Sequence, residues 1–291
     1  MWFKLSKLQL NQPITASSFL TNFSLGKHKQ KEIFSSQHMK INNQVASFDT
    51  IISSQDNIEI YFDEHNETKP GLHAPQIIYS DDFVLAVNKD AKKIIYDLDN
   101  PNNETVDMQV SRYFMNQDRD ALVRHLHRLD TDTTGVLLYA MNPLAHSYFS
   151  AIWQDQVQKE YIAIVEGSLK NKQGKISLNI GANRHRNNHY VTTKSGKPAI
   201  THYQVLKEGN GVSLVKIKLE TGRTHQIRVH FLAIGHPLVG DQLYESNIQE
   251  KRVLLHSSTI TYPDPITGKQ IEIHSDIPED MKAFLRKRGL I

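Results

Sequence analysis

The stretch Glu220-Thr221-Gly222-Arg223-Thr224-His225-Gln226-Ile227-Arg228-Val229-His230 joins a predicted strand to a predicted helix through a Thr-Gly pair. Its pattern predicts a helix over residues 224–234, which Gly235 ends. Residues 224–226 then form the first helical turn, where free backbone N–H groups and the helix dipole favour anions. Considered alone, the stretch predicts a site for a phosphate or a carboxylate, with Arg228 one turn further into the helix.

A second stretch, His127-Arg128-Leu129-Asp130-Thr131-Asp132-Thr133-Thr134-Gly135, forms a predicted turn directly before a short buried strand over residues 136–140. Asp and Thr side chains in such a turn hydrogen-bond nearby backbone groups, and the glycine closes it. Arg128 and Asp130 are then displayed at the start of a rigid strand, where a carboxylate can do chemistry. The simpler interpretation is that Asp130 and Asp132 only cap the turn.

A third stretch, Lys159-Glu160-Tyr161-Ile162-Ala163-Ile164-Val165-Glu166-Gly167, alternates as a strand and places Tyr161 on one face with Ala163 and Val165. A tyrosine among small apolar neighbours can offer its ring to a nucleobase and its hydroxyl to solvent. A core tyrosine without a catalytic role has the same pattern, so both interpretations remain open for this stretch.

The other elements alternate without the regular period of a βαβ repeat. Residues 77–88 predict two strands around a turn, and Asn142, followed by a proline, predicts the cap of a helix. A strand pair over residues 254–261 and 270–274 and a closing helix over residues 278–288 complete the pattern. The sequence therefore predicts an α+β fold with a mixed, largely antiparallel sheet and flanking helices.

A polar segment over residues 63–71 ends in a Pro-Gly pair and predicts a boundary between residues 1–70 and 71–291. The elements predicted for the first part are helices over residues 16–23 and 27–36, a strand over residues 39–45 that is broken by Asn42-Asn43, and a strand over residues 58–62. Two small helices followed by a hairpin, with a basic second helix, resemble the S4-type RNA-binding module. The alternative is an accessory α+β cap that does not contact nucleic acid.

The composition narrows the functional classes. The 291 residues include no cysteine, which excludes a disulfide framework, a thiolate nucleophile, a Cys-ligated zinc and an iron–sulfur cluster. The net charge of +3 is compatible with a polyanionic partner, and no arginine precedes Arg112. The later part of the chain is therefore the better candidate for gripping nucleic acid. Because no signal peptide and no run of 18 apolar residues occurs, we expect a cytoplasmic protein without membrane spans, and a monomer by default.

These stretches are more informative together, in their order along the chain, than separately. This sequence resembles the RluA-type family of RNA pseudouridine synthases in HRLDTDTTG (127–135), KEYIAIVEG (159–167), GKPAITHYQVL (196–206), LETGRTHQIRVHFLAIGHPLVGDQLY (219–244) and LLHS (254–257). The resemblance covers nearly all of residues 77–278, and an S4-like module in front is a common architecture of that family. It implies the pseudouridine synthase catalytic fold and an isomerase that acts on RNA.

The resemblance also implies roles for individual residues. Asp130 takes the position of the catalytic aspartate, Tyr161 that of the active-site tyrosine, and Arg228 that of the arginine that pairs with the aspartate. Arg128 matches the arginine that helps to hold the target nucleotide out of its stack, and Leu255 matches an apolar residue of the pocket. Arg223 and the residues of the first helical turn, Thr224, His225 and Gln226, are further predicted substrate contacts.

One residue and one four-residue segment depart from the family pattern. Thr134 stands where serine is usual, an exchange that keeps a hydroxyl and leaves the chemistry untouched. Asn187-Asn188-His189-Tyr190 replaces a run that is often more basic, which bears on RNA affinity or on the choice of target.

The chemistry explains the residue types. Conversion of uridine to pseudouridine breaks the N1–C1′ bond and forms a C5–C1′ bond without net redox change, so we expect neither a cofactor nor a metal. The base must leave its stack, at a cost of about a few kcal/mol. A shielded carboxylate stays ionised beside a fixed guanidinium, which is a physical reason for Arg228 to face Asp130. Whether Asp130 attacks C1′, attacks C6 or removes a proton stays open at this point. Ribosomal RNA is the first expected substrate and transfer RNA the second.

Other interpretations fit less well. A metal-dependent hydrolase would need ligand spacings that the pairs His125/His127 and His225/His230, two and five residues apart, do not offer. A glycoside hydrolase would need two carboxylates on opposite faces of a bond, which Asp130 and Asp132 in one turn do not provide. The serious alternative is a non-catalytic RNA-binding protein with a degenerate synthase fold, although a binder has no use for all three of the implied catalytic residues.

Overall fold

The computed structural model describes residues 1–5, 8–97, 99–100, 102–117 and 121–291. Strands β1 to β9 are Trp2–Leu5, Ile14–Thr15, Met39–Ile41, Gln44–Val45, Ile51–Ile52, Ile58–Tyr61, Ile77–Ser80, Val84–Lys89 and Arg124–His125. Strands β10 to β18 are Thr134–Ala140, Gln158–Glu166, Gln173–Ser177, Ile180–Ala182, Tyr190–Thr192, Ile200–Gly209, Val212–Leu219, Leu255–Pro263 and Gln270–His274. Helices α1 to α6 are Ala16–Asn22, Lys27–Ser35, Val106–Asn116, Pro143–Ile152, Gln226–Ala233 and Glu279–Lys287.

A ten-stranded sheet dominates the fold. Its main path runs β12-β15-β16-β11-β17-β10-β8-β7, with β18 added to β17 and β9 added to β10. Each of these described pairs is antiparallel except β10 with β17, which is parallel. The prediction of an α+β fold on a mixed, largely antiparallel sheet is therefore confirmed. The helix after Asn142 is confirmed as well, because the Asn142 side chain accepts a hydrogen bond from the Ala145 N–H and caps α4.

Gly135 makes the parallel contact of β10 with β17 possible. It pairs with Ser257 at a backbone φ of 108°, and a Cβ atom there would lie 2.1 Å from the Ser257 carbonyl oxygen. Only glycine has both this conformational freedom and this small size. Next to it, the Thr134 hydroxyl lies 2.9 Å from Nδ1 of His256, so the strand that follows the Asp130 turn is fixed to β17 on both counts.

The central sheet carries helices on both faces, and alternate residues of its strands enter different cores. Leu137 and Tyr139 of β10 pack in one core with α3 and α5, whereas Val136 and Leu138 pack in another core with α4. The face that carries α5 also holds Tyr161. Among the helices of the described ranges, none combines the length and the apolarity that crossing a bilayer requires.

The N-terminal elements form a second sheet of order β1-β6-β3-β4, against which α1 and α2 pack. The predicted break in the strand over residues 39–45 is confirmed, because Asn42 and Asn43 adopt left-handed φ values of 51° and 66° in the turn between β3 and β4. Strands β1, β2 and β5 are additions to the prediction. This part shares its core with α4: the Phe23 ring lies 6.2 Å from that of Tyr148 in α4, on the sheet face opposite to α5.

Candidate active site

A cavity of about 130 Å³ opens between the turn over residues 128–133, strand β11 and the start of α5. That volume is comparable to a cavity that holds one benzene-sized ring. All nine residues that the sequence indicated for the site line it, namely Arg128, Asp130, Tyr161, Arg223, Thr224, His225, Gln226, Arg228 and Leu255. Segments that are distant along the chain therefore meet at one base-sized space.

Asp130 and Arg228 are paired at this cavity. Nη1 of Arg228 donates to Oδ2 of Asp130 at 3.2 Å, as the sequence led us to expect. The Asp130 side chain keeps 25% of its surface exposed, whereas that of Arg228 keeps 11%. The carboxylate is thus accessible from the cavity while a largely buried cation holds one of its oxygens.

Asp241 is the principal partner of Arg228 and was not singled out from the sequence. Its carboxylate accepts from Nε at 2.6 Å and from Nη2 at 2.8 Å, and its side chain is fully buried. Burial alone would lower the pKa of Arg228, but the hydrogen bonds and charge of Asp241, together with Asp130, outweigh burial and raise that pKa. An aspartate directly after Leu238-Val239-Gly240, an otherwise apolar segment, was the available signal for a buried charge with a partner.

Lys89 holds the backbone of the turn that carries Asp130. Its side chain is buried, and its ammonium group donates at 2.8 to 2.9 Å to three carbonyl oxygens, those of Asp90, Thr131 and Thr133. Burial lowers the pKa of Lys89 to about 8, and nearby aspartates oppose that shift. The lysine therefore acts on the backbone of the turn and lies outside the set of residues that line the cavity.

Arg252 provides a second buried support for the same turn. Its Nη1 donates to the carbonyl oxygens of Asp132 and Leu255, each at 3.2 Å, and so connects the Asp130 turn to the start of β17. Its Nε and Nη2 bind the two carboxylate oxygens of Asp280 at 2.6 and 2.9 Å, which holds the arginine against α6. The sequence pattern did not indicate this residue.

Tyr161 forms the wall of the cavity on β11. The register of β11 against β17 shifts between Glu160 and Tyr161, and such a bulge re-aims the side chain next to it. Tyr161 is buried, and burial together with the negative charge of Asp130 raises its pKa to about 12. The hydroxyl consequently stays neutral at physiological pH and can donate a proton or a hydrogen bond.

The predicted start of the helix at Thr224 is wrong. Helix α5 begins at Gln226, and His225 precedes it with a left-handed φ of 54°. This backbone conformation is unfavourable for a residue with a Cβ atom and persists only where surrounding contacts enforce it. Here Nδ1 of His225 lies 2.9 Å from the Tyr244 hydroxyl and Nε2 lies 3.7 Å from Oδ2 of Asp130. Burial lowers the pKa of His225, which favours the neutral ring.

Gln226 lines the cavity but directs its amide into the protein. Its Nε2 donates to the Ile200 carbonyl and its Oε1 accepts from the Thr221 hydroxyl and the Arg223 N–H, at 2.8 to 3.0 Å. This residue therefore holds the Thr-Gly turn in place, and its use as a contact for RNA stays a prediction. Arg223 donates from Nε to the Pro198 carbonyl at 3.0 Å.

The segment that departs from the family pattern lies beside the same site. It leads into strand β14, where the Tyr190 N–H donates to the Tyr244 hydroxyl at 3.0 Å and the Tyr190 ring lies 5.6 Å from that of His225. The exposed side chains of Arg184 and Arg186 precede it in the loop between β13 and β14. The hairpin therefore connects a basic, exposed loop to the residues that hold His225.

The histidines that were considered as metal ligands have other partners. Nε2 of His127 accepts from the Leu138 N–H at 3.1 Å, and Nδ1 of His125 lies 3.2 Å from Asp107. His230 hydrogen-bonds through both ring nitrogens, to the Thr201 hydroxyl and the Leu178 carbonyl. In the part of the chain that the structure describes, no three His, Asp or Glu side chains are grouped so that they could hold a metal ion.

Comparison with known proteins identifies the family. The family described as RNA pseudouridylate synthase matches residues 84–233. The uncharacterized RNA pseudouridine synthase YhcT of Bacillus subtilis is 33% identical over 262 residues, which covers 87% of this chain and 85% of that protein. Ribosomal large subunit pseudouridine synthase D of Yersinia pestis is 32% identical over 224 residues and covers 70% of this chain and 68% of that protein.

A solved structure agrees with these sequence matches. Human RNA pseudouridylate synthase domain containing 1 superposes with a TM-score of 0.60 at 26% sequence identity, over 77% of this chain and 98% of that one. The family match includes the Asp130 turn, strand β11 and the whole of α5. From this agreement of sequence, fold and site, we conclude that the chain belongs to the RluA-type family of RNA pseudouridine synthases and is an isomerase.

Proposed function

We propose that this pseudouridine synthase isomerises uridines in structured RNA through Asp130 and without a cofactor. The observation that carries the proposal is the Asp130–Arg228 pair, which presents a partly exposed carboxylate to a cavity that can hold one ring. Tyr161 lies in the wall of that cavity, so a base that enters it meets an aromatic ring as well as the carboxylate. A protein that only binds RNA has no need for this combination.

Extrusion of the base comes first. A uridine within structured RNA hides both the N1 and the C5 sides of its ring, and rotation of the base requires that it leave its stack. Arg128 is exposed at the rim of the cavity and can fill the vacated space. The ring of Tyr161 can then stack on the extruded base, a contact that tolerates rotation because every ring orientation presents the same face.

Bond exchange follows within the cavity. The N1–C1′ bond breaks, the uracil rotates, and a C5–C1′ bond forms; C5 then loses its hydrogen as a proton, while N1 gains one. Attack of Asp130 on C1′, attack on C6, and removal of a proton after glycosidic cleavage all require an ionised carboxylate. Arg228 donates a hydrogen bond to that carboxylate, and the neutral Tyr161 hydroxyl is suited to exchange the proton in the last route.

We further propose that ribosomal RNA is the substrate, with transfer RNA as the second possibility, and that the enzyme acts as a cytoplasmic monomer. At least three relatives carry the name ribosomal large subunit pseudouridine synthase D. Residues 1–70 form the S4-like RNA-binding module in this proposal and residues 71–291 the catalytic domain. The exposed Lys27, His28 and Lys31 on α2 support an RNA contact there.

Release of tritium from C5 tests the proposal. Purified protein, without added metal or cofactor, is incubated with unmodified ribosomal or transfer RNA whose uridines carry tritium at C5. Isomerisation must expel that hydrogen into water, whereas binding or hydrolysis elsewhere does not. We expect release from ribosomal RNA. Tight binding to both RNAs without release from either would contradict the proposal and favour a binding protein.

A further inference from the structure

Tyr96 is an exposed aromatic side chain beside the active-site arginine Arg128. It keeps 42% of its surface exposed, and the guanidinium carbon of Arg128 lies over its ring, 6.0 Å from the ring centre. Tyr96 follows β8 and belongs to none of the stretches that the catalytic proposal uses. This large ring is therefore partly open to solvent next to a residue that lines the cavity.

The Tyr96 ring is supported from below by a chain of side chains that leads into the core. The His125 ring lies under it with centroids 5.3 Å apart and planes only 4° from parallel. Nδ1 of His125 lies 3.2 Å from Oδ2 of Asp107, and Oδ1 of Asp107 accepts from the Tyr139 hydroxyl at 2.7 Å. Tyr139 belongs to β10 and is fully buried. One face of the exposed ring is therefore held in place before any ligand arrives.

Such support reduces the entropy that a binding partner must overcome. A ring that already lies in its bound orientation loses little rotational freedom when a second ring stacks on it. Aromatic side chains and arginine planes are the surfaces on which proteins stack unpaired RNA bases. Tyr96 and Arg128 thus offer an adjacent ring and guanidinium at the rim of the cavity into which the target base is placed.

We propose that Tyr96 is a stacking platform for a nucleobase next to the extruded uridine. The inference rests on the proposed function, because extrusion of one base leaves its neighbours with an unstacked face. In this proposal Arg128 leaves its place over the Tyr96 ring to occupy the gap in the RNA, and the ring receives a flanking base. The platform contributes affinity and position rather than chemistry, so Tyr96 is a substrate-binding residue and not a catalytic one.

Three substitutions separate the contribution of the ring from those of the hydroxyl and of side-chain bulk. We expect Tyr96→Phe to behave like the parent within twofold. We expect Tyr96→Leu and Tyr96→Ala each to raise the KM for unmodified ribosomal RNA about 10-fold, as the loss of one stacked base implies. Their kcat stays within threefold of the parent and their Tm within a few degrees. The matched control is Met115→Ala, because Met115 is comparably exposed at 48% and has no ring.

Equilibrium binding of the same ribosomal RNA separates this inference from the catalytic proposal. If the parent binds RNA but releases no tritium, the catalytic proposal fails while the effect of Tyr96→Leu on the dissociation constant still tests the platform. A dissociation constant and KM within twofold of the parent for Tyr96→Leu and Tyr96→Ala would overturn the inference. An equal loss for Tyr96→Phe would also overturn it, because the hydroxyl and not the ring would then be responsible.

Discussion

Arg228 binds Asp241 through two of its guanidinium nitrogens and directs the third toward Asp130. The two bonds to Asp241 measure 2.6 and 2.8 Å, and the bond to Asp130 measures 3.2 Å. The planar fork of arginine makes this division possible, because fixing one edge fixes the direction of the remaining nitrogen. Asp241 therefore determines where the positive charge that faces Asp130 lies, although it is not among the residues that line the cavity.

Substitution of Asp241 tests this positioning role. We expect Asp241→Asn to lower kcat by about 10- to 100-fold, since the loss of a charge-assisted hydrogen bond costs about 1.5–3 kcal/mol and releases the guanidinium. The control is Asp276→Asn, because Asp276 also pairs with a basic side chain, that of His274, but is exposed. Single-turnover tritium release gives the rate. A kcat within threefold of the parent would show that Asp241 is not needed to position Arg228 for catalysis.

Arg228→Lys tests the fork itself. A lysine keeps the charge but has a single donor centre, so it cannot bind both oxygens of Asp241 and also reach Asp130. We expect a loss of at least about 100-fold in kcat, equivalent to about 2.7 kcal/mol, with RNA binding unchanged. A near-normal rate in the lysine variant would mean that charge alone is sufficient and that the geometry is unimportant.

Gly135→Ala tests the parallel junction that places the Asp130 turn. The added Cβ atom would meet the Ser257 carbonyl oxygen at 2.1 Å, and the backbone φ is 108°. We expect the free energy of unfolding to fall by more than about 3 kcal/mol, because strain and steric overlap act together. Gly222→Ala is the matched control: nothing lies within 4 Å of the position that its methyl group would take, and we expect less than about 1 kcal/mol. Equal stability of both variants in urea denaturation would contradict the prediction.

We expect His127 to contribute to the acid sensitivity of the fold. Burial lowers its pKa to about 3, whereas the unfolded chain has the ordinary value near 6.5. Between these values the unfolded state binds a proton that the folded state does not, so stability falls as the pH decreases from 6.5 to 3. We expect this residue to account for about 2–4 kcal/mol of that loss.

His127→Gln is the comparison for the acid prediction, since glutamine can accept from the Leu138 N–H but does not titrate. As the pH is lowered, the unfolding free energy of the parent should fall more than that of the variant. Parallel curves for the two proteins, measured by urea denaturation between pH 7 and pH 4, would show that His127 does not protonate on unfolding.

Local patterns were sufficient for most elements of the fold. Asn142 and its following proline predicted the start of α4, and the pair Asn42-Asn43 predicted the break between β3 and β4, because caps and turns depend on neighbouring residues. The start of α5 was not predictable in this way. His225 has a left-handed φ and contacts the hydroxyl of Tyr244, which is 19 residues away in the sequence, so local patterns did not reveal this start.

Some residues of the site could likewise be located from the sequence, and others could not. The resemblance located Asp130, Tyr161 and Arg228, which line the cavity together. Lys89 and Asp241 were missed because a single buried charge gives no periodic signal, and its partners are backbone carbonyls or an arginine that only the folded chain brings near. Tyr96 was missed for a related reason, since its significance comes from the rings and charges beneath it and not from its neighbours in sequence.

Tritium release by Asp130→Asn compared with the parent tests the central claim most directly. Asparagine keeps the size of the side chain and can still accept from Arg228, but it can neither attack carbon nor take up a proton as a carboxylate does. We predict that release from C5-tritiated ribosomal RNA disappears while the dissociation constant for that RNA stays within about threefold, because shape and phosphate contacts dominate binding. Residual turnover within tenfold of the parent would contradict the assignment of the chemistry to Asp130.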